Sequence, residues 1–363
     1  LLEKILNLKP DNETAAIAYI GLLKKHGKIK EALAWLESVL ANKEDNFNLR
    51  MAYARLLTDE KDFNKAREQF EILYIQTPDN SDLLYALGLL SLQEDNPDDS
   101  KKYFTRLIEL KKHIFDANYY LGRIAEEKND LKKANEFYKA VHGGKNYFDA
   151  FIRVSFIHAK LGEVEKALIH IRSIEKPKDD NRIILIQAES EILMEQKRYQ
   201  EAFEVFNKAI DKKSHPDLLY SRAMIAEKID RFDILEADLM QIIEDDPNNA
   251  TALNALGYTL ADRSERLEEA YNYIQRAYKL SPNDFYILDS MGWVLYRLGR
   301  FDEAISFLQQ ALDLRNDPEV AAHLGEVHWV MGDKKAAEAV WSTALKNTPE
   351  DDRLLKIIER FTP

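Results

Sequence analysis

The sequence predicts an all-α protein: a solenoid of about ten helix-turn-helix units finished by a C-terminal capping helix. Three observations carry that prediction. Alanine-centred segments recur about every 34 residues from Ala32 to Ala337. Between the alanines the apolar residues fall on two successive helical faces. Turn-forming pairs and prolines punctuate the pattern at matching places.

The twentieth positions of the units are Ala32, Ala66, Ser100, Ala134, Ala167, Ala202, Leu235, Ala270, Ala304 and Ala337, so that eight of ten are alanine. In the clearest copy, 285–317, Gly292 stands at the eighth position and Ala304, Leu308 and Ala311 follow. Small residues at positions eight and twenty let two backbones approach closely. Large residues such as Phe70, Phe104, Tyr138, Phe206, Leu308 and Trp341 then fill the space between hairpins. Turns are expected at Gly27-Lys28, Asn129-Asp130, Gly162-Glu163 and Gly299-Arg300, and prolines at Pro10, Pro78, Pro247, Pro282 and Pro349 close units, because proline lacks the N–H of a further turn.

In chain order, residues 1–12 read as the second helix of a truncated earlier repeat, with Ile5 and Pro10 in late positions, so a longer protein is expected to precede Leu1. Repeats follow at 13–46, 47–80, 81–114, 115–147, 148–182, 183–215, 216–249, 250–284, 285–317 and 318–351. In 352–363, Leu354, Leu355 and Ile358 share one face, which suits a capping helix. Length alone would suggest two or three domains, but the unbroken period predicts one elongated array over 13–351. The charged stretch Lys176–Arg182 is read as an ordinary inter-repeat loop. This pattern resembles the tetratricopeptide repeat. The resemblance implies a right-handed α-solenoid superhelix whose concave face is lined by the first helix of every repeat.

Composition fits an ordered array, with 45% hydrophobic and 31% charged residues. No apolar run approaches the ~18 residues of a membrane span. The net charge of −12 is spread along the chain and argues against a nucleic-acid partner, whose phosphates it would repel. Cysteine is absent, so this stretch holds neither disulfides nor thiolate sites.

No catalytic signature is present: no nucleophile elbow, phosphate loop or HExxH. His323, Glu326 and His328 form the best metal-like cluster, yet the two histidines diverge by about 140° on a helix and cannot share an ion. The sequence therefore predicts no enzyme, cofactor or metal. Function is expected on the concave face at positions two, five, nine and twelve. The candidate partner-binding residues are Tyr119, Arg123, Phe156, Tyr220, Met224, Asn254, Tyr258, Asp289, Trp293, Tyr296, Glu326 and Trp329, with Met51, Arg55 and Tyr85 extending the face towards the amino end. Aromatic and arginine side chains are those that dominate protein interfaces. Trp35 and Trp341, near position twenty-four, are read as core.

A narrower resemblance lies in 250–345, in Ala252–Asp262, Leu288–Trp293 and Pro318–Val327. These segments resemble the tetratricopeptide lipoproteins of Gram-negative outer membranes, which include an adaptor of a carboxy-terminal processing protease that degrades peptidoglycan hydrolases. The resemblance implies a non-catalytic scaffold at the periplasmic face of the outer membrane, tethered only by a lipid anchor ahead of Leu1, with the protease or its hydrolase substrates as partners. The groove's mixed polarity departs from the carboxylate clamp of some chaperone-binding relatives. The alternative is the substrate-recognition array of a glycosyltransferase or of a lipopolysaccharide-assembly regulator; a self-assembling structural protein is the third reading. An added residue between Asp262 and Leu267 either shapes a docking surface or is a tolerated turn insertion.

Overall fold

Each unit of the pattern folds as a helical hairpin. The computed structural model describes Leu6 and residues 12–42, 46–174, 179–210, 215–263 and 266–362. The expectations placed on Leu1, Leu2, Ile5 and Pro10, and on residues 175–178 and 264–265, lie outside them. The hairpins are α1 (Glu13–Lys25) with α2 (Ile29–Asn42), α3 (Phe47–Asp59) with α4 (Phe63–Gln76), α5 (Ser81–Gln93) with α6 (Pro97–Glu109), α7 (Ile114–Glu127) with α8 (Leu131–Lys139), and α9 (Tyr147–Lys160) with α10 (Val164–Ile171). They continue as α11 (Asp179–Glu195) with α12 (Tyr199–Ile210), α13 (Pro216–Lys228) with α14 (Phe232–Asp245), α15 (Ala250–Arg263) with α16 (Leu267–Leu280), α17 (Phe285–Arg297) with α18 (Phe301–Leu314), and α19 (Pro318–Val330) with α20 (Lys334–Asn347). A final helix, α21, covers Asp352–Phe361. The helices gather into two compact units, 1–176 and 177–363. The boundary falls in the charged stretch read as a loop, and from Asp179 onward that stretch is already helix α11.

Local chemistry sets the helix ends. Asn12, Asn46 and Asn80 accept from the backbone N–H three residues on, each at 3.0 Å, so the side chain satisfies a donor the helix cannot. Asp284 and Asp351 do the same for α17 and α21. Inside hairpins one bond recurs: Lys28 N–H donates to Leu23 C=O at 2.9 Å, Asp62 to Leu57 at 2.9 Å, Asp130 to Ala125 at 2.8 Å and Arg300 to Leu295 at 2.9 Å. This six-to-one bond requires a left-handed residue at the turn. Glycine supplies it at Gly27 (φ 71°) and Gly299 (φ 76°), while Lys61 (φ 64°) and Lys197 (φ 58°) adopt the same conformation at a steric cost.

Packing explains the period. The ten residues at position twenty are at most 1% exposed. Opposite them the eighth position is glycine in half of the repeats, and there a side chain has no room: a Cβ on Gly292 would sit 2.5 Å from Leu308 Cγ, and one on Gly325 2.0 Å from Trp341 Nε1. Serine substitutes for alanine at Ser100 by donating its hydroxyl to Gly88 C=O at 2.9 Å. In 1–176 the core runs through Leu36, Phe70, Phe104 and Tyr138, and in 177–363 through Phe206, Leu239, Leu308 and Trp341, each 2% exposed or less. Each such side chain contributes about 1.5–3 kcal/mol by leaving water. Trp341 is core as expected. Trp35 is only partly buried, edge-on to Tyr19 with ring centroids 5.6 Å apart, because its neighbour Leu36 takes the core position.

Helix α21 packs against α19 as the first helix of a further repeat would. Leu354 is fully buried, Arg353 pairs with Glu319, and Arg360 donates to Glu326 Oε1 at 2.7 Å, both partners standing 34 positions earlier. In α17, Arg297 donates to the Asp262 carbonyl at 3.0 Å, which fixes the end of α15 ahead of the added turn residue.

Candidate functional site

Residues two, five and nine of a helix share a face, because each residue rotates about 100°. Along 177–363 that face of α13, α15 and α17, joined by Glu319 of α19, encloses a cleft of about 510 Å³. Five of the expected groove residues, Tyr220, Met224, Asn254, Tyr258 and Asp289, line it together. A second cleft of about 300 Å³ adjoins it across Tyr220 and Thr251 and reaches Gln187 of α11. Sequence reasoning missed Asp284, Tyr286, Ser290 and Glu319 in the wall. Tyr286 and Glu319 occupy position two of their repeats, a position already assigned to this face.

The charged groups in the wall are all carboxylates, Asp284, Asp289 and Glu319. The buried Oδ1 of Asn254 has no hydrogen-bond partner. Asp289 Oδ1 lies 2.9 Å from His323 Nδ1. Burial pulls the His323 imidazole down, but the charge and hydrogen bond of Asp289 outweigh it and hold the pKa above the usual histidine value. Burial, and then the charges of Glu319, Asp289, Asp262 and Glu227, push the Tyr258 phenol far up, so it stays a neutral donor. No lysine, arginine or histidine stands among the lining residues.

The other C-terminal candidates are engaged in packing, which corrects the expectation that their positions are free of it. Trp293 keeps only 9% exposure and stacks on His323, with centroids 4.4 Å apart at 27°. Its Nε1 is buried without a partner. Tyr296 donates to Glu326 Oε1 at 3.0 Å, and burial followed by the Glu326 charge pushes its pKa to about 12. Glu326 is 4% exposed because Tyr296 and Arg360 close over it. Trp329 lies against Trp341 (5.7 Å) and Phe361 (6.1 Å), with the Lys334 ammonium 4.7 Å from its ring. Position nine of the last two repeats thus meets the next first helix.

In 1–176 the same face is occupied by its own ion pairs. Tyr119 donates to Asp149 Oδ2 at 2.7 Å, where the Arg153 Nε also donates at 2.8 Å. Arg153 reaches Glu126 at 2.9 Å, and Tyr138 donates to Glu126 at 2.9 Å. Arg123 pairs with Glu127 at 3.5 Å, and Phe156 is half-buried. Met51 is core, Arg55 is exposed, and Tyr85 stacks on His113 at 5.1 Å. A cleft of about 550 Å³ opens instead among α2, α3 and α4, lined by Glu37, Glu68, Lys65 and Arg50 in mixed charge. Among the described residues no group of three His, Cys, Asp or Glu is placed to hold a metal ion.

Comparison with known proteins agrees with the repeat pattern. Tetratricopeptide repeat family models match residues 263–322, 295–360 and 85–146. A curated relative, a TPR repeat-containing protein of Pseudomonas aeruginosa, is 41% identical over 213 residues, or 58% of this chain. The chain spans 36% of the length of that relative. A tetratricopeptide repeat protein of Parabacteroides merdae covers 69% of this chain and is covered over 99% of its own, with a TM-score of 0.53 at 14% identity, a likeness of fold alone. A thermophilic TPR protein of Thermus thermophilus is 25% identical over 51% of this chain and 97% of its own, with a TM-score of 0.43.

Proposed function

We propose that this chain, whose units are stacks of tetratricopeptide repeats, is a non-catalytic scaffold that holds an extended polypeptide along the first-helix face of 177–363. The observation that carries this reading is the channel in which Tyr220, Met224, Asn254, Tyr258 and Asp289 converge from three successive first helices. Its volume lies in the range of ligand sites, and its aromatic walls are of the kind that anchor partners. A rigid scaffold of this sort raises the local concentration of whatever it holds without performing chemistry.

Within that reading we assign the scaffold to the periplasmic face of a Gram-negative outer membrane, as a lipid-anchored adaptor for a carboxy-terminal processing protease and its cell-wall hydrolase substrates. The resemblance of residues 250–345 to such lipoproteins supports it, as does the identity with a Pseudomonas repeat protein. A photo-crosslinking amino acid at Met224, tested in a Gram-negative periplasmic extract with exposed Arg55 as the control site, separates the two levels. Adducts with a processing protease or hydrolase at Met224 alone are expected. Adducts only with unrelated proteins would end the adaptor assignment, and a folded protein that yields no adduct at Met224 would end the scaffold reading of this channel.

A further inference from the structure

We infer that the channel of 177–363 selects a cationic occupant, an arginine-bearing extended segment whose guanidinium docks between Asp289 and Glu319. This inference rests on the scaffold reading and adds the chemistry of the partner.

Charge is the first argument. Asp284, Asp289 and Glu319 line the cleft, and no basic side chain does. The cations nearby stand outside the lining: His323 behind Asp289, Arg353 on Glu319, and Arg315, whose guanidinium lies 3.3 Å from the Tyr286 hydroxyl at the rim. An anionic segment entering here would meet like charge at short range; a cationic one would meet its complement.

Hydrogen bonding is the second. The carboxylates of Asp284, Asp289 and Glu319 in the lining are acceptors that charged N–H donors satisfy best. A guanidinium brings five donors in a planar fork, and the rings of Tyr220, Tyr258 and Tyr286 offer faces to its charge.

The third argument is a precedent inside the molecule. On the same face of α19, Arg353 and Arg360 of the packed helix α21 already engage Glu319 and Glu326. The repeat therefore receives guanidinium groups from a chain laid against its first helices, and Glu319, which also lines the cleft, already accepts one of them.

The test uses the whole chain and a fluorescent short peptide alternating arginine and leucine, read by anisotropy. Its twin carries citrulline, which keeps the shape and loses the charge. The protein variant is Asp284→Asn with Glu319→Gln; asparagine caps a helix as well as aspartate, so the melting temperature serves as the check on folding. We expect the arginine peptide to bind, to weaken as salt rises, and to lose about tenfold or more in affinity in the citrulline twin and in the double variant. Equal binding of the twin, or an unaffected variant, would overturn the inference. A glutamate-leucine peptide that binds in its place would also overturn it while leaving the scaffold reading intact. If no peptide of any charge binds the folded protein, both fail.

Discussion

The first-helix faces of 1–176 and 177–363 are built from the same repeat and end in opposite states. In the first, Arg153 joins Asp149 and Glu126 across neighbouring helices, and Tyr119 and Tyr138 donate into the same cluster. In the second, Asp289 and Glu319 line an open cleft, although His323 lies against the one and Arg353 pairs with the other. The repeat fixes where a side chain stands. Whether that place is closed or open depends on what the next first helix presents, as where Arg153 of α9 reaches Glu126 of α7 at 2.9 Å.

The strongest way to test that the two faces share one scaffold is to damage the scaffold itself. Gly325→Ala should cost about 3 kcal/mol in urea unfolding, since its Cβ would lie 2.0 Å from Trp341 Nε1, and Gly122→Ala, 2.7 Å from the Tyr138 ring, should be comparably severe. A mild effect at either glycine would mean that the two stacks are packed by different rules. Next in size, Arg153→Met should lose about 1 kcal/mol, because a half-exposed cation leaves two carboxylates behind. If chemical denaturation shows it to be neutral, the face of 1–176 is not held by its ion pairs and the contrast collapses.

The buried His323 sharpens the contrast by pH. Its folded-state pKa is raised above the unfolded value of about 6.5, so its contribution is fully present below that pH and is lost as pH rises through the folded pKa. Asp289, Glu319 and Glu326 are the charges that act on it. Urea midpoints followed by tryptophan fluorescence, where Trp293, Trp329 and Trp341 report on 177–363, should fall as pH rises above about 6.5 in the parent, and less so in His323→Gln. The smallest effect belongs to the turns. Lys61→Gly and Lys197→Gly, both relieving a left-handed lysine, should each gain about 0.5 kcal/mol of thermal stability, and unequal gains would show that the turns differ between the stacks.

The hairpins were legible in the sequence because their packing is a rule of sizes. A residue without a side chain must oppose a large one, as at Gly292 against Leu308, and alanine or serine must sit where two backbones touch, as at Ala304 and Ser100. The channel was legible in part. Position five found Asn254 and Asp289, but position nine misled at Trp293 and Glu326, since only the identity of the neighbour, His323 in one case and Arg360 in the other, decides that they are covered. Periodicity reports the direction of a side chain and not its company. The early helical start at Asp179 was hidden for a related reason: charged residues in a first turn read as a loop until a helix is seen to follow them.

The way α21 lies on α19 has a consequence for assembly. Its contacts are those one repeat makes with the next, so they would serve equally well for the first helix of another molecule. Cut at Asn347, 177–363 would bare Trp329, Trp341 and the Glu326 carboxylate, an adhesive surface shaped to take a helix with an arginine where Arg360 now stands.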